Sequence, residues 1–236
     1  MKSIKRFFGF VFLIIIVAIS LVIYSGYNKY KQALDEKPLD VAVLQIKSKE
    51  HYTPIANIPQ LYLDAVVAAE DRRFFYHNGF DVIGTARAVV IDIKTRSFAE
   101  GGSTISQQLA KNMYFIQDNS PLRKIAEIFM ALNIEKNYSK KEILELYVNG
   151  IYYGSGYYCI YDASMGYFNK APSEMDEYEI TLLAGIPNAP SVYSPKANPE
   201  LALKRQKKII TCLVDCDYID EEKGKEMIDN IAPDLN

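Results

Sequence analysis

Hydrophobic and polar positions divide this chain sharply at its start. Lys2, Lys5 and Arg6 precede an uncharged run from Phe7 to Tyr24, F-F-G-F-V-F-L-I-I-I-V-A-I-S-L-V-I-Y. Such a run is long enough to cross a bilayer, which needs about 20 apolar residues and as few as about 17. The basic flank predicts a cytoplasmic N-terminus. A signal peptide would carry a shorter apolar core, about 7–15 residues, followed by an A-x-A-like cleavage site. No such site follows here, so the expectation is an uncleaved single-pass anchor with the rest of the chain outside the cytoplasm. Ser25 to Asp40 is polar and reads as a stalk or a helical continuation of the anchor. Val41 to Ile46 alternates weakly and predicts a short strand.

Almost everything afterwards carries a helical period. Pro59 suits the first turn of a helix whose stripe is Leu61, Ala65, Val66 and Ala69, ending near Glu70. Asp81 can cap Val82 to Arg96, which mixes Val89, Val90, Ile91, Ile93 and Phe98 with Arg87, Lys94 and Arg96. That mixture fits a segment resting on an anionic membrane and equally an amphipathic helix with a solvated basic face. Glu100-Gly101-Gly102-Ser103 interrupts the chain, and the helix opening at Thr104 repeats Ile105, Leu109 and Met113. Ser120-Pro121 predicts a cap and a first helical position, with Leu122, Ile125, Phe129 and Leu132 as the buried stripe. Ser139 and Glu142 form a capping box for a helix ending at Asn149-Gly150. Ile151 to Tyr158 is rich in glycine and tyrosine, which suits sugar rings or packing. Ala163 to Phe168 reads as a short helix, Ser173 as the cap of Glu174 to Ala184, and Pro187 to Pro195 as extended. Asn198-Pro199 starts a helix with Leu201, Ile209, Ile210 and Leu213, and a last helix runs from about Glu221 to Ile231. The fold class is mostly α, one helical domain behind an N-terminal transmembrane helix. The divisions are a cytoplasmic tail (1–6), the anchor (7–24), a stalk (25–50) and the catalytic domain (51–236).

Composition narrows the function classes. With 236 residues there is room for one sizeable domain plus an appendage, and 49% hydrophobic residues exclude a disordered chain. A net charge of -2 gives no reason to expect nucleic-acid binding. The cysteines, Cys159, Cys212 and Cys216, form no C-x-x-C and only two histidines accompany them, which argues against a structural zinc site. They read as small buried residues.

The densest chemistry lies in Ala68 to Asp81, A-A-E-D-R-R-F-F-Y-H-N-G-F-D. A helix C-terminus disfavours an anion, so Glu70 at that edge in partly apolar surroundings should have a raised pKa, which suits a general base. Gly-Gly-Ser before a helix offers free N–H groups to an anion or sugar hydroxyl. The helix that follows can present Gln107 or Gln108 together with Lys111 on one face. Arg123 and Glu127, four apart with Lys124 nearby, read either as a solvated ion pair worth little or as a charged wall beside the first site.

Taken together, these segments resemble the peptidoglycan glycosyltransferases of glycosyltransferase family 51, the transglycosylase module of class A penicillin-binding proteins. The similarity covers roughly Ile58 to Ile210. Glu70-Asp71 with Phe74, His77, Gly79 and Asp81 matches E-D-x-x-F-x-x-H-x-G-x-D. Gly101 to Asn112 matches G-G-S-T-I-S-Q-Q-L-A-K-N, and Arg123-Lys124 with Glu127 matches R-K-x-x-E. Lys141 to Asn149 matches K-E-I-L-E-L-Y-V-N, and Leu183 to Pro190 matches L-A-G-I-P-N-A-P. Five motifs in order are very specific. Only about 25 residues follow Ile210 and no S-x-x-K motif is present, which resembles the monofunctional form. Cys159 stands where a glycine is common, and Asn169 replaces the glycine of the usual Y-F-G-K.

The resemblance implies a lysozyme-like helical fold and polymerisation of lipid II, a disaccharide-pentapeptide on undecaprenyl pyrophosphate. It implies Glu70 as general base and Glu127 as the second catalytic glutamate, organising basic groups or a divalent cation (magnesium or manganese) around the pyrophosphate. No cofactor is otherwise expected. Lys111, Arg123 and Lys124 match the cationic side, and Ser103, Gln107, Gln108 and Asn112 match polar residues that hold sugar and phosphate. Asp71 and His77 are expected to support the site, and Asp81 to cap the next helix. Expected partners are lipid II, the growing glycan chain and the membrane, with penicillin-binding transpeptidases and other cell-wall enzymes as further candidates. The rivals are a lysozyme-like hydrolase, which also uses two carboxylates, and a non-catalytic membrane-anchored scaffold.

Overall fold

The computed structural model describes residues 2–95 and 102–231. Arg96, Phe98, Glu100 and Gly101, which carried part of the expectations for the basic segment and the glycine break, lie outside the described residues. Among the described residues there is no strand. The helices are α1 (Lys2–Glu36), α2 (Leu39–Lys47), α3 (Gln60–Glu70), α4 (Val82–Thr95), α5 (Ile105–Tyr114), α6 (Arg123–Asn137), α7 (Lys140–Gly150), α8 (Ile160–Phe168), α9 (Glu177–Gly185), α10 (Pro190–Tyr193), α11 (Pro199–Asp215) and α12 (Glu221–Asp229). This mostly helical architecture, with an N-terminal helix long and apolar enough to cross a membrane, agrees with the fold that the sequence implies.

α3 is the centre of the body. It packs on α9 and α11, and Tyr62, Leu63, Ala65, Val66, Val67 and Ala68 are all buried. The buried surface extends well beyond the expected stripe, leaving Gln60 exposed and Asp64 partly so. Pro59 is the N-cap, one position before the first turn. On the other flank α5 packs against both α6 and α7, and one continuous core joins all of these helices to α2.

Several elements differ from their sequence reading. Val41 to Ile46 is helix, not strand: Ala42, Val43 and Ile46 share one buried face while Val41 and Leu44 face out. A short apolar run does not separate a period of 2 from one of 3.6. Ser120-Pro121 lies in a turn, and α6 begins at Arg123 after Leu122. Its deepest face is Ala126, Met130, Ala131 and Ile134, whereas Leu132 is exposed. Part of the expected stripe serves a second contact, because Phe129 meets Tyr27 and Tyr30 of α1 at centroid distances of 5.2 and 6.0 Å. Asp176, not Ser173, caps α9, with Glu179 completing the capping box. Pro187 to Pro195 contains the short helix α10 rather than staying extended, and Leu201 is exposed.

The two departures from the family pattern have simple backbone explanations. Asn169 ends α8 in the left-handed region, φ 57° and ψ 36°, a conformation asparagine tolerates better than most residues. Cys159 has φ -156°, which any residue adopts, and its sulfur accepts from the Asp162 N–H as the α8 cap.

α1 is one uninterrupted helix from Lys2 to Glu36, about 52 Å long. Ser25 to Glu36 is therefore its continuation, and it is docked. Besides the Phe129 contact, Lys29 pairs with Asp118 at 2.8 Å and Lys37 donates to the Met113 carbonyl. Gly26 permits the close approach to α6, since a Cβ there would stand 2.4 Å from Ile125 Cγ2 and 2.6 Å from Ile125 Cβ. Gly26→Leu should therefore separate α1 from α6 and lower the thermal midpoint of the full chain in detergent by several degrees, while Gly9→Leu, in open space, leaves it unchanged.

Candidate active site

Glu70 is the last residue of α3, and the chain turns there because Asp71 leaves helical geometry at φ -159° and ψ 75°. The turn is pinned from three sides. Both Asp71 oxygens reach His77 Nε2, at 3.0 and 2.9 Å. Oδ2 also accepts from the Ile105 N–H at the start of α5, at 3.0 Å, where a carboxylate meets the positive end of the helix dipole. Gly79 is needed at φ 88°, where a Cβ would stand 2.8 Å from the Ala131 carbonyl carbon of α6. Thr104 then donates to the Gly79 carbonyl at 2.7 Å and, with Gln107, closes the α5 capping box. Asp81 accepts from the Ile83 N–H at 3.0 Å and pairs with Arg73 at 3.1 Å, which caps α4 as expected.

The Glu70 side chain is 4% exposed. Oε2 accepts from Gln108 Nε2 at 2.9 Å, Arg205 stands 3.5 Å from Oε1, and Oε1 has no hydrogen-bond partner. Burial pushes its carboxyl pKa up; the Gln108 N–H and the Arg205 guanidinium pull it back, and the neighbouring Asp71 charge adds to the rise. The sequence reading has the direction right and its main cause, the helix terminus, subordinate to burial. An unpartnered oxygen on a carboxyl with a raised pKa is the arrangement a proton acceptor needs.

Glu70 faces a cavity of about 360 Å³ whose wall includes Arg73, Arg87, Ser103, Asn188, Arg205 and Lys208. Arg205, Lys208 and Asn188 are absent from the residues singled out by sequence. Arg205, Lys208, Cys212 and Asp215 all line the cavity and follow a helical spacing along α11, which is a legible stripe. Asn188 lies within L-A-G-I-P-N-A-P.

The second cluster is built on α6. Glu127 is 2% exposed and accepts from Arg123 at 2.7 Å and from Lys124 at 3.1 Å. Only the carboxylate is buried; Arg123 is partly and Lys124 nearly half exposed, so the cluster is fixed at its acid end and open to solvent at its cationic end. Ser103 links the clusters, lining the cavity and accepting a short hydrogen bond from Lys124. Both Glu127 oxygens are taken by cations, and among the described residues no group of three or more His, Cys, Asp or Glu could hold a metal. The donor set does not fit a divalent cation by itself.

On α5 the glutamines separate. Gln108 sits beside Glu70, while Gln107 is fully buried, its amide oxygen committed to the cap. Gln107 therefore supports α5 from within, away from the cavity face. Asn112 donates to the Gln108 carbonyl at 2.8 Å. Lys111 is exposed and makes no ion pair among the described residues.

The raised pKa has a consequence for stability. The folded state binds the Glu70 proton more tightly than the unfolded chain, whose value is about 4.3. Ionised Glu70 therefore destabilises the fold, and the penalty grows as pH rises from the unfolded pKa through the folded one. Glu70→Gln should raise the melting temperature at pH 7, by about 2–4 °C per kcal/mol for a domain of this size, with the gain shrinking toward pH 4. Thermal melts at both pH values check this.

Comparison with known proteins places the chain. A family model described as Transglycosylase matches residues 37–214. Penicillin-binding protein 1F of Bacillus subtilis is 37% identical over 90% of this chain and 31% of its own length. Penicillin-binding protein 1A of Aquifex aeolicus is 39% identical over 76% of this chain and 25% of its own. The chain thus spans about a quarter to a third of these relatives. A crystal structure of penicillin-binding protein 1A from Haemophilus influenzae aligns over 76% of this chain and 17% of that one, at 21% identity and a TM-score of 0.46, too distant to carry an argument. The turn at Glu70, its cationic neighbours and the match over most of the chain lead to one statement: this chain belongs to the transglycosylase family found in the class A penicillin-binding proteins.

Proposed function

We propose that this chain is a peptidoglycan glycosyltransferase that polymerises lipid II into glycan strands, inverting the anomeric carbon and releasing undecaprenyl pyrophosphate. The observation that supports the reading is a buried carboxyl whose pKa is raised, facing a cavity whose wall carries Arg73, Arg87, Arg205 and Lys208, with Ser103 on that wall accepting from Lys124 of the neighbouring Glu127 cluster.

In this reading Glu70 takes the proton of the acceptor sugar's 4-hydroxyl as that oxygen attacks the anomeric carbon of the donor. Oε1, which has no hydrogen-bond partner and only the Arg205 guanidinium at 3.5 Å, is the accepting atom, and Gln108 holds Oε2. Direct attack with no enzyme nucleophile inverts the centre. The bond to pyrophosphate breaks, and Lys111, Arg123 and Lys124 stabilise the departing charge. Glu127 acts on these cations rather than on the sugar, fixing Arg123 and Lys124 in place. Ser103 orients the phosphate side, and Asn112 steadies the Gln108 turn of α5. Asp71 and His77 hold the turn. Lysine and arginine beside the base favour transfer from a pyrophosphate over hydrolysis of a preformed glycan, which releases no such anion.

A lipid-linked substrate gives α1 its purpose. The basic residues before Phe7 favour a cytoplasmic N-terminus, with the helical body on the other side of the membrane. The exposed apolar residues Phe75, Val82, Ile83 and Val90 suit a body resting on the bilayer, and cell-wall transpeptidases are natural neighbours for the product.

Incubation of the full chain in detergent with lipid II should yield long glycan chains. Glu70→Gln should lose about 10²- to 10⁴-fold in rate, and Arg123→Gln about 10²- to 10³-fold in kcat. Cleavage of preformed glycan without polymerisation would support the hydrolase, and full activity of Glu70→Gln would remove the base from the mechanism.

A further inference from the structure

Behind Glu70 lies a buried polar chain with a fixed direction. Tyr147, on α7, is fully buried and its hydroxyl meets Gln108 Oε1 at 3.0 Å. The same amide's Nε2 meets Glu70 Oε2 at 2.9 Å. Gln108 is thus gripped at both ends, by a phenol on one side and a carboxyl on the other.

The two orientations of such an amide are not equivalent. As it stands, the phenol donates to Oε1 and Nε2 donates to the carboxylate, so each group is satisfied. Turned over, Nε2 would donate to the phenol oxygen. The phenol hydrogen would then lose its only acceptor among the described residues, and Oε1 would confront a Glu70 oxygen, acceptable only if Glu70 is protonated. Both losses fall in a buried region, where an unmade hydrogen bond is expensive. Burial also pushes the Tyr147 hydroxyl well above its usual pKa, so it stays a donor at any working pH.

We infer that Tyr147 is a positioning residue for the glycosyl-transfer step: by donating to Gln108 Oε1 it locks the amide in the orientation that presents Nε2 to Glu70. The inference rests on Glu70 being the base. Its function is to favour the ionised, proton-accepting carboxylate against the burial that opposes it, while aiming Oε1 at the acceptor. The other groups facing this carboxyl are Arg205 from α11, Asp71 at the turn and the buried phenol of Tyr62 on α3. Arg205 favours ionisation and Asp71 opposes it. Tyr62 donates or accepts with Tyr153 at 2.9 Å, a separate buried pair that does not touch Gln108.

Tyr147→Phe keeps the ring and removes only the donor. The flipped amide then loses one of its two penalties, and protonated Glu70 gains ground. The acid limb of the kcat/KM profile for lipid II polymerisation should move up by about 0.5–1 pH unit, the size of one hydrogen bond in pKa terms. Gln108→Ala should move the limb upward as well. In the Gln108→Ala background, Tyr147→Phe should add no further shift, because the phenol acts only through the amide. An unmoved limb in a folded Tyr147→Phe protein, or an equal shift in both backgrounds, overturns the inference. If Tyr147→Phe does not fold, 3-fluorotyrosine placed at position 147 tests the same link. A stronger donor should move the limb down, and no movement overturns the inference. Failure of the base assignment looks different: the wild-type limb would then survive Glu70→Gln, whatever Tyr147 does.

Discussion

A carboxyl group kept out of water at the end of a largely buried helix is the constraint on which the rest of this structure depends. An ionised carboxylate is costly to bury unless it is paired and hydrogen-bonded. Glu70 is neither left alone nor neutralised outright. Gln108 satisfies one oxygen and Arg205 stands at 3.5 Å from the other. This intermediate state requires neighbours that do not shift, which explains the rigidity around it. α3 is packed on α9 and α11, Asp71 is tied both to His77 and to the N-terminus of α5, and Gly79 lies against the α6 backbone. One turn therefore fixes the relative positions of α3, α5 and α6, the helices that carry Glu70, its amide partner and the cationic cluster.

The two glutamates divide the work through their surroundings. Glu70 has one oxygen without a hydrogen bond and a carboxyl pushed toward protonation. Glu127, equally buried, has both oxygens occupied by Arg123 and Lys124. In the proposed mechanism one carboxylate accepts a proton and the other holds cations. The surroundings differ in kind: burial outweighs the pull of Gln108 and Arg205 at Glu70, whereas Glu127 is bonded directly by two cations. The anchor adds a third constraint. α1 runs without a break into its dock on α6, so the helix that carries the cationic cluster is also the one braced against the anchor.

Much of this was readable from residue order. The end of α3 at Glu70, the Ser139 capping box and the Asp81 cap all follow from local chemistry that tertiary packing does not overrule. Of the motif residues, Glu70, Asp71, Asp81, Ser103 and Asn188 line the cavity, whereas Lys111, Arg123, Lys124 and Glu127 stand outside its lining. The failures have physical causes. Val41 to Ile46 is too short for its period to be decided. α6 buries two faces, one in the core and one against α1, and a single stripe describes neither. Gln107 and Gln108 are adjacent and chemically identical; only the rotation of α5 decides that one closes a cap and the other meets Glu70. Arg205 lies far along the chain from its partner, and no local pattern joins the two. Its signal, the cavity-facing spacing of Arg205, Lys208, Cys212 and Asp215, gains meaning only once α11 is known to lie beside α3.

The central claim is that burial gives Glu70 a raised pKa and that this carboxyl is the base. The pH dependence of kcat/KM for lipid II polymerisation by the full chain tests it most directly. The account predicts an acid limb whose inflection lies clearly above the ordinary glutamate value of about 4.3, with activity rising as Glu70 ionises. A limb at or below that value, or a profile that Glu70→Gln leaves unchanged, would contradict it.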